Sequence, residues 1–118
     1  MTGNAPVLPS LDHLLHEARR QDLAWQPFRE GVEVYWLHES DGGPSAAVLR
    51  YAPGAAIPRH RHEGEENIYV ISGAQQDERG VYPAGAHVVN TPGSSHAVAS
   101  PDGCVVLAIW SLPNRWLD

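Results

Sequence analysis

The sequence of 118 residues contains no lysine, a single cysteine and no apolar run long enough to cross a bilayer. Because all eight basic residues are arginine, Schiff-base and lysine-base chemistry are excluded. The single cysteine, Cys104, excludes an intramolecular disulfide framework and any multi-thiolate zinc or iron–sulfur site. It lies in the apolar run 104–110, which favours a small buried hydrophobe over a reactive thiol.

The chain also lacks an excess of basic residues, since its formal net charge is -6 at pH 7 and its pI is near 5.5. An acidic protein is poorly suited to nucleic acid or to an anionic membrane surface, so we expect neither as a partner. The first residues carry neither the basic flank nor the apolar stretch of an export signal. The expected location is therefore the cytoplasm.

Short apolar segments of extended character follow one another at spacings of roughly 8 to 12 residues, each bounded by Gly/Pro turns. The predicted strands include 32–38, 46–51, 67–71, 86–90, 96–99 and 105–110, with a break expected at Ser72 and Gly73. No helical segments alternate with these strands, as a parallel α/β sheet would require. The pattern predicts one all-β domain, a sandwich or barrel, over residues 25–118.

Residues 1–24 are predicted to be an N-terminal extension with one short amphipathic helix. Ser10 suits the N-cap position of this helix, and Arg19 and Arg20 lie in its last turn, as the helix dipole favours. Apolar residues recur at helical spacing at Leu11, Leu14, Leu15 and Ala18. We therefore expect the helix to lie on the outside of the β domain.

The stretch 54–73 contains the candidate metal ligands. His60 and His62 point to the same side if the backbone is extended, and Glu66 follows four residues later. Two imidazoles and a carboxylate on one face are the donors of a metal site. Seven histidines make a chance His-x-His unremarkable. However, Gly-x5-His-x-His-x3-Glu-x6-Gly is expected by chance at only roughly two starting positions in a million.

A fourth donor is available in residues 92–96. The sequence Pro-Gly-Ser-Ser-His places His96 directly after a tight turn, at the start of a strand that can lie beside the strand of His60 and His62. Three neutral imidazoles and one carboxylate leave one or two positions on a cation for water or substrate. Such a donor set suits iron(II), manganese, zinc, nickel or copper, and the sequence does not choose among them.

These residues resemble a known family. Residues 54–73 resemble the first signature motif of the cupin superfamily, and residues 92–96 resemble its second. The second motif departs from the usual Pro-x-Gly-x-x-His, because Pro92 directly precedes Gly93 and no asparagine follows His96 at the usual distance. This variant, together with segments 25–34, 77–85 and 102–104, resembles the narrower group of ChrR-like cupins. That group is named for the metal-binding C-terminal domain of an anti-sigma factor, and the resemblance covers residues 25–111.

The resemblance implies a double-stranded β-helix, a small RmlC-like jelly-roll barrel with a metal inside one end. Carried over residue by residue, it makes His60, His62, Glu66 and His96 the ligands of a divalent transition metal (Fe, Zn, Mn or Ni). Similar cupins include dioxygenases that cleave dicarbonyl compounds. The first hypothesis is therefore a stand-alone oxidoreductase of dioxygenase type for a small oxygen-bearing, dicarbonyl-like ligand, with Glu66 as catalytic base. The second is a non-enzymatic metal, ligand or oxidative-stress sensor module without direct sigma-factor binding.

Other candidate residues are placed outside the ligand set. Glu63 and Glu65 are interpreted as solvated turn carboxylates, and His38 as a surface residue. His87 is left between two interpretations, a role in orienting a ligand or binding substrate and plain packing. We expect a homodimer, because residues 110–116 and the N-terminal helix offer apolar surface.

Overall fold

The structure is a computed structural model that describes residues 14–117. In this range Leu14 and Leu15 are helical, one further helical turn, α1, spans Glu17–Arg20, and most of the remainder is built of strands. The strands are β1 Gln26–Arg29, β2 Val32–His38, β3 Ser45–Tyr51, β4 Ala55–Arg61, β5 Glu66–Asp77, β6 Gly80–Pro83, β7 His87–Asn90, β8 Ser95–Ser100, β9 Cys104–Trp110 and β10 Arg115–Trp116. The predicted all-β class is confirmed.

All strand pairings are antiparallel, and neighbouring strands follow the order β1-β2-β3-β9-β5-β8-β4-β10. The long strand β5 belongs to both halves of this curled sheet. Its first part pairs with β9 and β7, and its last residues pair with β6 and β8. Two sheets that share a strand and curl around one core form the jelly roll that the resemblance implies.

Gly73 allows β5 to pass from one half to the other, and it corrects the expectation of a strand break at residues 72–73. The strand continues through this point, with a register shift against β9 between Val70 and Ser72. Gly73 has φ 71°, and an added Cβ would collide with the carbonyl oxygen of Gly103. A bulge with glycine in the left-handed region bends a strand without ending it.

The sequence of β9 is apolar on both faces because the strand lies between two apolar clusters. Alternate side chains lie in the main core; these are Cys104, Val106, Ala108 and Trp110. Val105 and Leu107 face the other way, into a second cluster that contains Leu14 and Val48. Burial raises the pKa of the Cys104 thiol to about 11, which agrees with the interpretation of this residue as a buried hydrophobe.

The described part of the N-terminal extension covers the outer face of β3 and β9. Leu14, Leu23 and Trp25 belong to the second apolar cluster. The helix predicted over residues 10–20 is interrupted at His16, where the chain is extended between the helical residues Leu14 and Leu15 and α1; the predicted cap at Ser10 lies outside the described residues. The prediction that the apolar residues form one stripe against the β domain is wrong in part, since Leu15 is 52% exposed and Ala18 is also exposed.

The division of the chain between residues 24 and 25 stays a prediction. Within residues 14–117, the helical segments lack the length and apolar character that a membrane crossing demands.

Candidate metal centre

Four side chains predicted as ligands meet inside one end of the barrel. His60 is in β4 and His62 directly follows that strand, while Glu66 begins β5 and His96 lies in β8. His60 and His96 are directly opposite each other in the β4–β8 ladder, so the expected neighbouring strand is confirmed. All four residues are 5% exposed or less, and one donor atom from each lies within 4.8 Å of the others. The structure thus contains a buried His3Glu cluster of the type that holds a metal ion.

The donor atoms are spaced as one small cation requires. The Nε2 atoms of His60 and His96 are 3.1 Å apart, and Nε2 of His62 is 3.1 Å from Oε1 of Glu66. Two donors bonded to one ion at about 2.1 Å are about 3.0 to 4.2 Å apart for bond angles between 90° and 180°. These two contacts therefore fit adjacent positions around a single ion.

In each imidazole, Nδ1 is hydrogen-bonded to an oxygen that acts as the acceptor. The oxygen is a carbonyl, a carboxylate or a hydroxyl that donates its own proton to another group. Nδ1 of His60 donates to the carbonyl of Pro58 at 2.9 Å, and Nδ1 of His62 lies 3.1 Å from the carbonyl of Ser94. The Ser94 hydroxyl donates to the carbonyl of Thr91, and it accepts from Nδ1 of His62 at 2.9 Å. These partners assign the proton to Nδ1 in both rings.

His96 is oriented by a carboxylate. Its Nδ1 donates to Oδ2 of Asp77 at 2.9 Å, and the Asp77 side chain is only 2% exposed. Burial alone would raise the pKa of Asp77, but hydrogen bonds from His96, the backbone N–H of Arg79 and the Tyr82 hydroxyl hold that pKa far below its usual range. The carboxylate is therefore charged, and it fixes the proton of His96 on Nδ1.

With the proton assigned to Nδ1, the neutral form of each ring directs an Nε2 lone pair at the other rings and at Glu66. Nε2 of His62 is buried and makes no hydrogen bond with any residue in 14–117, although Glu66 is close. Converging lone pairs beside a buried carboxylate are unfavourable unless a cation lies between them. The residues present therefore fit a metal ion, and they fit it through Nε2 in each ring.

Burial and mutual contacts also favour the charge states that a metal needs. Burial lowers the pKa of His60, and the neighbouring His96 ring lowers it further, so the imidazole is held neutral. Burial alone would raise the pKa of Glu66, but its contact with His62 and a hydrogen bond from Asn90 lower it overall. Neutral imidazoles and an ionised carboxylate are the forms that bind metal.

A network of hydrogen bonds, buried at Glu66 and reaching the surface at Arg79, joins the supports of Glu66 and His96. Nδ2 of Asn90 donates to Oε1 of Glu66 at 2.9 Å, and Arg79 donates to Oδ1 of Asn90 at 2.5 Å. The same guanidinium donates to Oδ2 of Asp77 at 3.2 Å. Arg79 thus connects the amide behind one ligand with the carboxylate behind another.

The turn 91–94 explains the shortened second motif. The Ser94 N–H donates to the carbonyl of Thr91, while Pro92 and Gly93 occupy the two central positions. Gly93 has φ 88°, the left-handed conformation that the third position of a type II turn requires. Backbone hydrogen bonds in both directions join His62 to Gly93 and Ser94, so this turn holds His62 directly.

Replacing Asp77 with asparagine is expected to weaken metal binding about 10- to 100-fold, without changing the four proposed ligands. An amide has one acceptor and one donor side, so it cannot accept from His96, Tyr82 and Arg79 together. Competition with a fluorescent chelator measures the affinity. Glu63→Gln, an exposed turn carboxylate in the same motif, is the matched control and should bind as the unmodified chain does. Equal affinities for the two variants would contradict the role of Asp77.

The C-terminal segment covers the centre. Strand β10 pairs with the end of β4, with Trp116 opposite His60, and the two rings are 5.3 Å apart. Nδ2 of Asn114 lies 3.5 Å from Oε2 of Glu66. The chamber beside the donors has a volume of about 20 Å³, which holds about one water molecule. Apart from the donors, most of its lining is apolar, including Ile57, Ile68 and Val98.

The remaining sequence candidates lie away from the centre. Glu63, Glu65 and His38 are exposed, as predicted. His87 is also exposed, stacks on Tyr69 with ring centroids 4.3 Å apart and pairs with Asn67, so it does not reach the chamber. Its outward position favours packing over a role at the site.

Sequence reasoning missed the supporting residues. Asp77, Asn90 and Asn114 contact the proposed ligands from positions 19 to 48 residues away along the chain. Nothing local distinguishes them from surface polar residues. The one available signal was that Asp77 begins a segment that resembles the narrower cupin group.

Comparison with known proteins agrees with the fold and the motifs. The family model described as the ChrR Cupin-like domain matches residues 16–111. The anti-sigma-E factor ChrR of Cereibacter sphaeroides is 32% identical over 101 residues, which cover 83% of this chain and 46% of that protein. The chain thus spans about half the length of this relative.

Solved structures give the same result. ChrR in complex with SigE from Rhodobacter sphaeroides is similar with a TM-score of 0.70 and 28% identity, over 77% of this chain and 51% of that chain. An acetylacetone dioxygenase from Acinetobacter johnsonii has a TM-score of 0.78 at 18% identity, over 100% of this chain and 80% of that chain. This second likeness concerns the fold alone. On the match over residues 16–111, the chain belongs to the ChrR Cupin-like domain family.

Proposed function

We propose that His60, His62, Glu66 and His96 bind one divalent transition metal, iron, zinc, manganese or nickel. The observation that supports this proposal is the set of three imidazoles, each oriented by a hydrogen bond at Nδ1, whose Nε2 atoms converge with a carboxylate. Nitrogen and oxygen donors of this kind suit those metals. Elemental analysis of protein purified without chelators, which should give about one metal ion per chain, tests the proposal.

The first candidate activity is that of an oxidoreductase of dioxygenase type that acts on a small dicarbonyl-like molecule. A redox-active metal, when bound, supplies activation of dioxygen and polarisation of a carbonyl. Glu66 is the one carboxylate among the chamber-lining residues, so it is the proposed catalytic base. Its Oε1 accepts from Asn90, whereas Oε2 has only a 3.5 Å contact with Asn114, so Oε2 is the atom available to hold a proton.

The second candidate is a metal-dependent sensor of oxidative conditions or of a small ligand, without turnover and without direct sigma-factor binding. The small chamber favours it, because about 20 Å³ admits a water-sized molecule but no diketone unless the C-terminal segment moves. The sequence similarity to ChrR also supports this candidate.

Oxygen uptake distinguishes the two activities. For the enzyme, we expect iron-loaded protein to consume dioxygen when pentane-2,4-dione or a related diketone is added. Glu66→Gln should lower this rate at least about 100-fold when rates are compared at equal metal content. For the sensor, no diketone should cause uptake, and brief treatment with peroxide should release the metal or add oxygen to a ligand histidine, as seen by mass spectrometry. Rapid uptake by Glu66→Gln would contradict the role of Glu66 as base.

A homodimer and a cytoplasmic location stay predictions. Of the surface expected for dimerisation, Leu112 and Leu15 are exposed, whereas Trp110 is buried and Trp116 packs on His60. The outer face of β5, β7 and β9 offers an alternative, with Tyr69, Val89 and Ile109 each about 40% exposed. Light scattering at micromolar protein concentration measures the oligomeric state.

A further inference from the structure

A second cavity lies outside the metal chamber and shares part of its wall. It has a volume of about 240 Å³ and is lined by four aromatic rings, those of Phe28, Trp36, Trp110 and Trp116, and by the carboxylate-bearing residue Glu39. We call this cavity the aromatic pocket. Three of its rings also line the metal chamber, but no proposed metal ligand lines the aromatic pocket.

The four rings form a continuous, angled surface. Phe28 lies between Trp36 and Trp116, with ring centroids 6.4 and 6.2 Å away, and Trp36 lies 6.0 Å from Trp110. The interplanar angles are between 47° and 70°, so one pair meets edge to face, two pairs are tilted and none stacks flat. Rings that do not stack flat cover only part of each other's faces, and each face carries the negative part of the aromatic quadrupole.

One of these rings already carries a cation. The guanidinium carbon of Arg29 lies 3.6 Å from the ring centroid of Trp116, and Arg29 does not line the aromatic pocket. Trp36, Trp110 and Phe28 therefore remain as the rings available to a ligand. The pair Trp36 and Trp110, inclined at 47°, forms an open wedge.

Among residues 14–117, Glu39 is the only charged residue that lines the aromatic pocket. Glu39 is exposed and makes no hydrogen bond or ion pair with another residue of the described chain, whereas Arg50 and Glu33, for example, pair with each other. No arginine or histidine lines the aromatic pocket. Apart from Arg29, which lies over Trp116 and does not line the pocket, an anion would find no counter-charge there, and it would meet both the carboxylate and the negative ring faces.

We propose that the aromatic pocket binds a small organic cation, a quaternary ammonium or a protonated amine, with its charged head against Trp36 and Trp110 and with Glu39 as counter-charge. The ring faces attract the cation, and the apolar wall accommodates its methyl or methylene groups. This site is separate from the metal, and the proposal does not rest on the proposed function. A neutral molecule of the same shape gains the apolar contact alone.

Indole signals in NMR spectra test the proposal directly. Choline is added to the full chain, with 3,3-dimethylbutan-1-ol as its neutral isostere and sodium chloride at matched concentration as the control for ionic strength. We expect choline to shift the indole signals of Trp36 and Trp110 in a saturable manner. Trp25 is the internal reference, because its Nε1 donates to the carbonyl of Arg20 in the other apolar cluster, and its signal should not move.

The neutral isostere should bind at least about five-fold more weakly than choline. Glu39→Gln should lower choline affinity about five-fold and leave the isostere unchanged, while Glu30→Gln, an exposed turn carboxylate outside the pocket, should have no effect. Both substitutions are on the surface, so the fold is retained. Equal binding of choline and its isostere, equal affinities for the two variants, or an equal shift at Trp25 would each overturn the proposal.

Discussion

Replacing His62 with alanine is expected to reduce bound metal from about one ion per chain to less than about a tenth. His62 is the most buried of the four proposed ligands, and the turn 91–94 holds it through hydrogen bonds from both backbone and side chain. An alanine leaves three donors and a space that water can fill, so metal affinity should fall by at least about 100-fold. Elemental analysis after purification without chelators, and again after reloading, measures the loss.

The matched control for this experiment is His87→Ala. It makes the same chemical change at an exposed histidine on the outer surface of the barrel. Circular dichroism should show a folded chain for both variants, and only His62→Ala should lose metal. Full occupancy in His62→Ala would contradict the ligand assignment, and equal loss in both variants would show that the metal is held elsewhere.

Replacing Gly73 with alanine is expected to destabilise the fold by at least about 3 kcal/mol, because two penalties coincide. The residue lies in the left-handed region, and an added Cβ would collide with the carbonyl oxygen of Gly103 and lie 2.9 Å from the Cα of Cys104. Both neighbours are backbone atoms, one in the first residue of β9 and one in the residue just before it, so they cannot move as a flexible side chain does. Urea unfolding followed by tryptophan fluorescence gives the free energy of unfolding.

Gly42→Ala separates the two penalties. Gly42 has φ 70°, nearly the value at Gly73, but an added Cβ would meet nothing within 4 Å. Its substitution should cost about 1 kcal/mol from backbone strain alone. If both variants lost the same free energy, the close approach of β5 and β9 at Gly73 would be excluded as the cause.

The candidate metal motif could be predicted from the sequence because three of its four residues lie close together along the chain. His60, His62 and Glu66 lie within seven consecutive residues, and the alternation of an extended strand directs the two histidines to one side. His96 required only the further inference that its strand lies beside theirs, which the β4–β8 ladder confirms. The strand segments were also accessible, because Gly/Pro turns separate them.

Other features depend on contacts between distant parts of the chain. The carboxylate of Asp77 reaches His96 only because the end of β5 pairs with β8. Gly73 has the sequence signature of a break, yet β9 pairs with β5 up to Gly73 and β6 pairs with it from Ala74 onward, so the strand continues. The two-residue strand β10 has no hydrophobic period to detect, and its position follows from the packing of Trp116 on His60.

Because the C-terminal segment covers the proposed metal centre, the affinity for a metal and the rate of metal exchange would depend on different parts of the structure. If a metal binds as proposed, we expect its release to require β10 to detach from β4, and a two-residue edge strand opens at a small fraction of the free energy needed to unfold the barrel. Release to a chelator should therefore follow the opening rate of this segment and become independent of chelator concentration once the chelator is in excess. An ion enclosed while the chain folds would exchange slowly, whatever its equilibrium affinity.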